Sequence, residues 1–238
     1  MNRAMTIEPT NTEKLKAWSV HAFTATGVVW GLLGVIAVMN DDWKLAFFWM
    51  FVATLVDGVD GMLARRFRVK GVLPSFDGAL LDNIIDYFTY TVLPALVLYR
   101  APGLLPEGTQ LFTAVVIVLS SAYQFCQTDA KTEDHYFKGF PSYWNIVAFY
   151  VLVLNWNPWV NLALVLFLAV MVFVPLKYAY PSRMSQFQTL TIALVVVWAA
   201  MLLLLWTQLP TPNPLLAVAS LFFVVYYVFI SFYTQRRR

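Results

Sequence analysis

The chain has 238 residues, of which 60% are hydrophobic, 17% aromatic and only 12% charged. Soluble domains carry about 25% charged residues, so a water-facing globule is excluded, as are a disordered tail, a collagen-like repeat and a secreted disulfide scaffold. The net charge of +3 points to no nucleic-acid partner, and the lone Cys126 can form neither an internal disulfide nor a zinc site.

Residues 1–16 mix Lys14 and Lys16 with Met5, Ile7 and Leu15. They read as a cytoplasmic N-terminal segment, either a plain tail or a short interfacial helix on anionic lipid. Residues 17–238 read as one membrane domain. Apolar windows follow near 17–39, 43–63, 79–99, 110–127, 143–155, 159–174, 189–206 and 215–233. Loops are marked by Asn40-Asp41-Asp42, Pro102 to Gly108, Asn155 to Pro158, Pro175 to Gln186 and Leu209 to Pro214. A span takes roughly 20 residues, so about eight of them fill some two thirds of the chain and leave no room for a soluble domain. No small-residue cleavage site follows the first window, which reads as a retained span and not a signal peptide. The expected fold is an all-α, polytopic membrane helix bundle of about eight transmembrane helices.

Counting cations on alternate sides gives the orientation. Of the 16 Lys and Arg, only Lys44 and Arg100 fall on the side away from the termini. The positive-inside rule then places both termini in the cytoplasm and favours an even number of spans.

Five of the 13 acidic residues lie within positions 57–86, at the ends of the second and third windows. An ionised Asp at helix-centre depth costs about 2.5–3.5 kcal/mol on insertion scales, so such crowding requires a reason. Asp57 and Asp60 share one helix face, as do Asp82 and Asp86. Two consecutive antiparallel helices therefore bring four carboxylates together near their cytoplasmic ends. Two divalent cations would neutralise the four, and oxygen-only ligands suit Mg²⁺ or Mn²⁺; proton-relay or helix-pairing carboxylates are the alternative. Gly58, Gly61 and Gly78 surround the cluster, which fits either close approach of a ligand or close packing of helices. Arg65, at the cytoplasmic exit, can grip an anionic oxygen, whereas Arg66, Arg68 and Lys70 suit topology and anionic lipid.

Asp57-Gly58-Val59-Asp60-Gly61-Met62-Leu63-Ala64-Arg65, the twelve residues Arg66 to Asp77, then Gly78, Asp82 and Asp86 resemble the signature of the CDP-alcohol phosphotransferases, D-x-x-D-G-x-x-A-R, spacer, G-x-x-x-D-x-x-x-D. All eight fixed positions are present. The spacer is longer than is usual in the family and looks like that of the bacterial phosphatidylcholine synthases, which join CDP-diacylglycerol directly to free choline. The segment Phe137 to Asn145 also resembles that branch. The resemblance implies that Asp57, Asp60, Asp82 and Asp86 hold two Mn²⁺ or Mg²⁺ ions and that Asp86 also acts as general base. It implies that Gly61, Ala64, Arg65 and Gly78 shape the pocket for the CDP moiety. It further implies a CDP-diacylglycerol–choline O-phosphatidyltransferase, multi-pass in the bacterial inner membrane among membrane lipids, with its site on the cytoplasmic side, working as a homodimer. Asp77 matches no fixed position and reads as a loop residue, and the spacer reads as a cytosolic loop tolerant of change.

A quaternary ammonium donates no hydrogen bond and is bound against aromatic faces. Tyr143, Trp144 and Tyr90 are the expected choline contacts, with Tyr87, Tyr123, Tyr178 and Tyr180 nearby; for any single ring the membrane-interface belt or the core is the more common explanation. Asn145 either holds the choline hydroxyl or bonds a neighbouring helix. Glu133 and Asp134 either balance choline's charge or form a solvated loop. Ser142 reads as a helix N-cap, and His21 and His135 receive no role. A different acceptor (serine, inositol phosphate or glycerol phosphate) and, from another class, a carboxylate-based transporter are the competing readings. The transporter fares poorly because no predicted span after position 86 contains an acidic residue.

Overall fold

The structure is a computed structural model and describes residues 9–130, 132, 136–179 and 187–235. Lys131, Glu133, Asp134, His135, Tyr180, Arg183, most of the N-terminal segment and the three terminal arginines lie outside the described residues. The elements in chain order are α1 (Asn11–Met39), α2 (Trp43–Arg66), α3 (Val69–Val72), α4 (Gly78–Asp86), a π-helical stretch (Tyr87–Val92), α5 (Leu93–Arg100), α6 (Gln110–Cys126), β1 (Tyr136–Lys138), α7 (Trp144–Leu154), α8 (Pro158–Met171), β2 (Lys177–Ala179), α9 (Gln188–Thr207), α10 (Pro214–Ser220) and α11 (Phe222–Gln235).

Every apolar window contains helix, and the chain is an all-α membrane protein apart from one small sheet. That sheet pairs β1 with β2 antiparallel, Tyr136 opposite Ala179 and Lys138 opposite Lys177, within segments the sequence marks only as loops. Asn11–Met39, Trp43–Arg66, Gln188–Thr207 and Pro214–Gln235 are long and apolar enough to cross a membrane. Their most apolar windows are only 22–33% buried. Water would penalise that much bare apolar surface, whereas lipid tails accept it. Helix α7 has 11 residues and covers about 16 Å, roughly half a hydrocarbon core. Helix length alone therefore does not turn eight windows into eight full crossings.

α1 begins six residues before its apolar window because Thr10 and Glu13 form a reciprocal capping box. The spacer after Arg65 is not a free loop. α3 folds back so that Val69 and Leu73 bury against Ala17 and Val20 of α1, with Ala64 and Phe67 packed alongside. Phe76 meets Trp18 edge-on and His21 at a tilt. Apolar residues at 69, 72 and 73 drive this docking, and the long spacer becomes part of the packed end of the bundle.

Residues 78–100 run as one continuous rod through α4, the π-helical stretch and α5. α1 meets that rod along a stripe of glycines. A Cβ on Gly27 would lie 2.6 Å from Ile85, one on Gly31 2.5 Å from the Phe88 ring, and one on Gly34 2.5 Å from Leu93. At the start of the rod the roles invert, with a Cβ on Gly78 meeting His21 of α1 at 2.5 Å. Helices with small residues at such spacing approach closely and gain dispersion contact along their length. The main core then forms around Leu93, Val97 and Leu98 of the rod, Phe47 and Met50 of α2, Ile117 of α6, and Trp144 and Phe149 of α7.

We expect Gly31→Val to force the rod away from α1. Overpacking of this kind costs about 1–3 kcal/mol, so the thermal midpoint in detergent should fall and turnover with it. A variant with wild-type midpoint and rate would show that the close approach is dispensable.

Candidate active site

The end of α2, the start of the rod, the end of α6 and the start of α7 meet at one end of the bundle. Asp57 and Asp60 lie on the last turns of α2, and Asp82 and Asp86 on α4. Asp77 is no idle loop residue, since its carboxylate accepts the backbone N–H groups of Ala79 and Leu80 at 3.0 Å each. This cap starts α4 where Asp82 needs it. Carboxylate oxygens of Asp57, Asp82 and Asp86 lie within 4.8 Å of one another, and all three residues are half-buried. Asp60 is 6% exposed and stands outside this trio. Three hard oxygen donors at this spacing, open to a cavity, fit a divalent cation of the Mg²⁺ or Mn²⁺ kind.

The trio opens into a cavity of about 390 Å³ whose lining includes Ala79, Asn83, Tyr90, Gln124, Gln127, Phe137, Pro141 and Tyr143. Tyr90 donates its hydroxyl to Asp57 Oδ2 at 2.7 Å. Its ring lies 6.3 Å from that of Tyr143, and Phe137 meets Tyr143 edge-on at 6.2 Å. Tyr90, Tyr143 and Phe137 thus make an aromatic wall beside the carboxylates.

That wall is held from behind. Gln124 of α6 donates to the carbonyl of Lys138 at 2.8 Å, and Gln127 donates to Gln124. Gly139 has φ of +79° and packs its α-carbon against the Val172 carbonyl, leaving no room for a side chain. Its N–H donates to Leu176 and that of Phe140 to Met171. At the exposed rim Lys138 and Asp129 pair at 2.6 Å. Their hydrogen bond holds the Asp129 carboxyl below its ordinary range and the Lys138 ammonium above its own.

Other expected contacts lie elsewhere. Trp144 is fully buried, donates its indole N–H to Ser121 at 2.7 Å and packs edge-on against Phe140, so it faces α6 and not the cavity. Tyr143 caps α7 and Trp144 is its first residue, so the neighbouring rings leave the chain in different directions. Tyr87 points to the Val118 carbonyl, and Tyr178 stacks on Tyr227, where burial raises its phenol pKa. Asn145 donates to Thr54 of α2 at 3.3 Å, which is the helix-bonding alternative. Ser142 has φ of +56° and a buried hydroxyl with no hydrogen-bond partner among the described residues, while Tyr143 takes the N-cap position. Of the small motif residues, Gly61 lies under the Arg65 guanidinium, 3.3 Å from where a Cβ would stand. Ala64 packs on the α1–α3 cluster, and Gly78 gives room to His21. Sequence reasoning missed Asn83, Gln124 and Gln127. An amide inside an apolar window was the available signal for Gln124, because such groups are costly in lipid without a task.

Residues 20–230 match the CDP-alcohol phosphatidyltransferase family, and the chain belongs to that family. A phosphatidylcholine synthase of Pseudomonas aeruginosa is 45% identical over 215 residues, covering 89% of this chain and 90% of its own. One from Legionella pneumophila is 41% identical over 223 residues, covering 91% and 88%. One from Borreliella burgdorferi is 33% identical over 222 residues, covering 93% and 94%.

The two neighbouring rings should separate cleanly in stability. Trp144→Ala empties a buried site and should cost about 3–5 kcal/mol, seen as a large drop in thermal midpoint. Tyr143→Ala, at the cavity edge, should leave the midpoint close to wild type. Equal losses would mean that Tyr143 is also a core residue.

Proposed function

We propose that this protein is a CDP-diacylglycerol–choline O-phosphatidyltransferase. The choline hydroxyl oxygen attacks the phosphorus that bears diacylglycerol, the bond from that phosphorus to the CMP oxygen breaks, and phosphatidylcholine and CMP leave. One observation carries the reading: the three clustered motif carboxylates share a cavity with a wall of three aromatic rings. Relatives of 33–45% identity named phosphatidylcholine synthase support the same acceptor.

Family membership implies metal dependence, and Asp57, Asp82 and Asp86 are the residues that would hold the first ion. Asp60, the remaining motif carboxylate, would complete a second one, and Mn²⁺ or Mg²⁺ suits either. Such ions supply Lewis-acid stabilisation of the pyrophosphate charge. The chain's own residues do the rest. Asp86 accepts the proton of the choline hydroxyl as the new bond forms, because an alcohol is far too weak an acid to lose it beforehand. Arg65 steadies a phosphate oxygen of the nucleotide, and Gly61 leaves its guanidinium room; Ala64 and Gly78 serve the packing of α1 instead. Tyr90, Tyr143 and Phe137 hold the trimethylammonium by cation–π attraction, about 0.5–2 kcal/mol per favourable ring.

Topology follows the same reading. Eight passes, with the shorter helices completed by their flanking segments, would put both termini and the site on the cytoplasmic side of a bacterial inner membrane. The end that holds the site carries Arg65, Arg66, Lys138 and Lys177, and the opposite end Lys44 and Arg100, as the positive-inside rule requires. Lipid tails reach the cavity sideways between helices, while choline arrives from the cytosol. A homodimer is the expected assembly.

The test supplies purified protein with CDP-diacylglycerol, Mn²⁺ and labelled choline, serine or glycerol phosphate in turn. Choline should give lipid product fastest, and EDTA should stop it; a faster reaction with another acceptor would overturn the acceptor assignment. Asp82→Asn should abolish turnover while the protein still inserts. Tyr143→Ala should raise the choline concentration for half-maximal rate about five- to thirty-fold, the equivalent of losing about 1–2 kcal/mol. Its CDP-diacylglycerol requirement should stay unchanged, and Tyr143→Phe, which keeps the ring face, should cost much less.

A further inference from the structure

We propose that Tyr90 is a positioning residue for the metal site, its hydroxyl fixing the Asp57 carboxylate while its ring belongs to the acceptor wall. The inference rests on the reading of the carboxylate trio as a divalent-cation site.

The hydrogen bond from Tyr90 to Asp57 Oδ2, at 2.7 Å, has the length of a good hydroxyl–carboxylate bond. The donor is 9% exposed, so little water competes for it. Aspartate's terminal torsion is broad, and a carboxylate that must ligate a cation needs its plane set by a partner that is not the cation. Outer partners of this kind typically change metal affinity or activity 10–100-fold when removed.

Placement supports the assignment. Asp57 and Asp86 lie on different helices, so their spacing depends on what ties α2 to the rod. Tyr90 makes such a tie from within the π-helical stretch that begins immediately after Asp86. Single π-helical turns are uncommon and concentrate at functional sites. Thr54, one turn before Asp57 on α2, receives the Asn145 amide from α7. The segment of α2 that presents Asp57 is therefore gripped from the rod and from α7 together. The Tyr90 ring also stands 6.3 Å from Tyr143, which places one side chain in both halves of the site.

The two parts of Tyr90 can be separated by substitution. Tyr90→Phe removes the hydroxyl and keeps the ring. Mn²⁺ binding to the purified full chain without substrates is followed by loss of the free-ion electron paramagnetic resonance signal. Tyr90→Phe should bind Mn²⁺ about tenfold more weakly, with turnover recovering at high Mn²⁺ and the choline concentration for half-maximal rate unchanged. Tyr143→Phe should match wild type in Mn²⁺ binding. In an Asp57→Asn background, adding Tyr90→Phe should have no further effect on Mn²⁺, because the carboxylate it positions is gone.

Wild-type Mn²⁺ affinity in Tyr90→Phe, or additive losses in the double variant, would overturn the inference and leave the metal site standing. Equal Mn²⁺ binding by wild type and Asp57→Asn would overturn the metal reading, and this inference with it. Should Tyr90→Phe lower the thermal midpoint, the double variant still decides, since a merely structural loss would weaken Mn²⁺ binding in the Asp57→Asn background as well.

Discussion

Like charges held side by side are the constraint around which this molecule is arranged. Carboxylate oxygens of Asp57, Asp82 and Asp86 lie within 4.8 Å of one another. Two unit charges at such a distance repel by about 3 kcal/mol or more at an effective dielectric constant near 20. Left to themselves the two helices would splay or the acids would take up protons. The fold opposes splaying with contacts that have nothing to do with the acids. The glycine stripe Gly27, Gly31, Gly34 lets α1 press along the whole rod, α1 and α2 pack as an antiparallel pair, and α3 closes the end over Ala17 and Val20. A rod clamped along its length resists yielding at one end, and on the proposed reading divalent cations relieve the repulsion.

The end of the bundle that holds the site also holds the only sheet among the described residues. β1 and β2 join the segment after α6 to the segment after α8, and β2 is held in turn by α11. Ser231 accepts from the N–H of Ala179, and Tyr227 donates to its carbonyl. The aromatic wall thus rests on a brace reaching the last helix. At the other end the demands are only structural. Arg100 pairs with Asp41, Lys44 donates to the Thr207 carbonyl, and Asn161 donates to that of Leu104; each ties one turn to another.

Much of this was legible in the sequence, and the unreadable parts share a physical cause. Hydropathy reports contact with lipid, so the apolar windows found their helices, and the motif spacing located Asp57, Asp82 and Asp86 because intramembrane acids are too costly to scatter. Hydropathy does not report which way a ring turns at the first residues of a helix. Tyr143 and Trp144 are equally aromatic and adjacent, yet the first borders the cavity and the second bonds Ser121. Nor does spacing reveal close approach. Gly27, Gly31 and Gly34 are unremarked small residues until the rod is seen against them. The Thr10–Glu13 capping box was readable but fell outside the apolar window. The spacer looked free because it is polar at Arg66, Arg68 and Lys70, while Val69 and Leu73 between them carry the docking.

On the proposed reading, the cavity must sort two kinds of cation within about 390 Å³. Both are drawn by the negative trio, so charge alone cannot tell them apart. A small divalent ion is strongly hydrated and gives up water only for hard, charged oxygens. A trimethylammonium is large and weakly hydrated, offers no hydrogen, and gains more from an electron-rich ring than from competing for an oxygen. Carboxylates on one side and rings on the other therefore separate the two by hydration. Tyr90 stands at the boundary, with its hydroxyl on Asp57 and its ring toward Tyr143. Its oxygen is committed to the acid, so the part of it left for the acceptor is the apolar face. That division keeps the choline head off the carboxylates and leaves its hydroxyl, at the far end of a two-carbon arm, as the group that reaches toward Asp86.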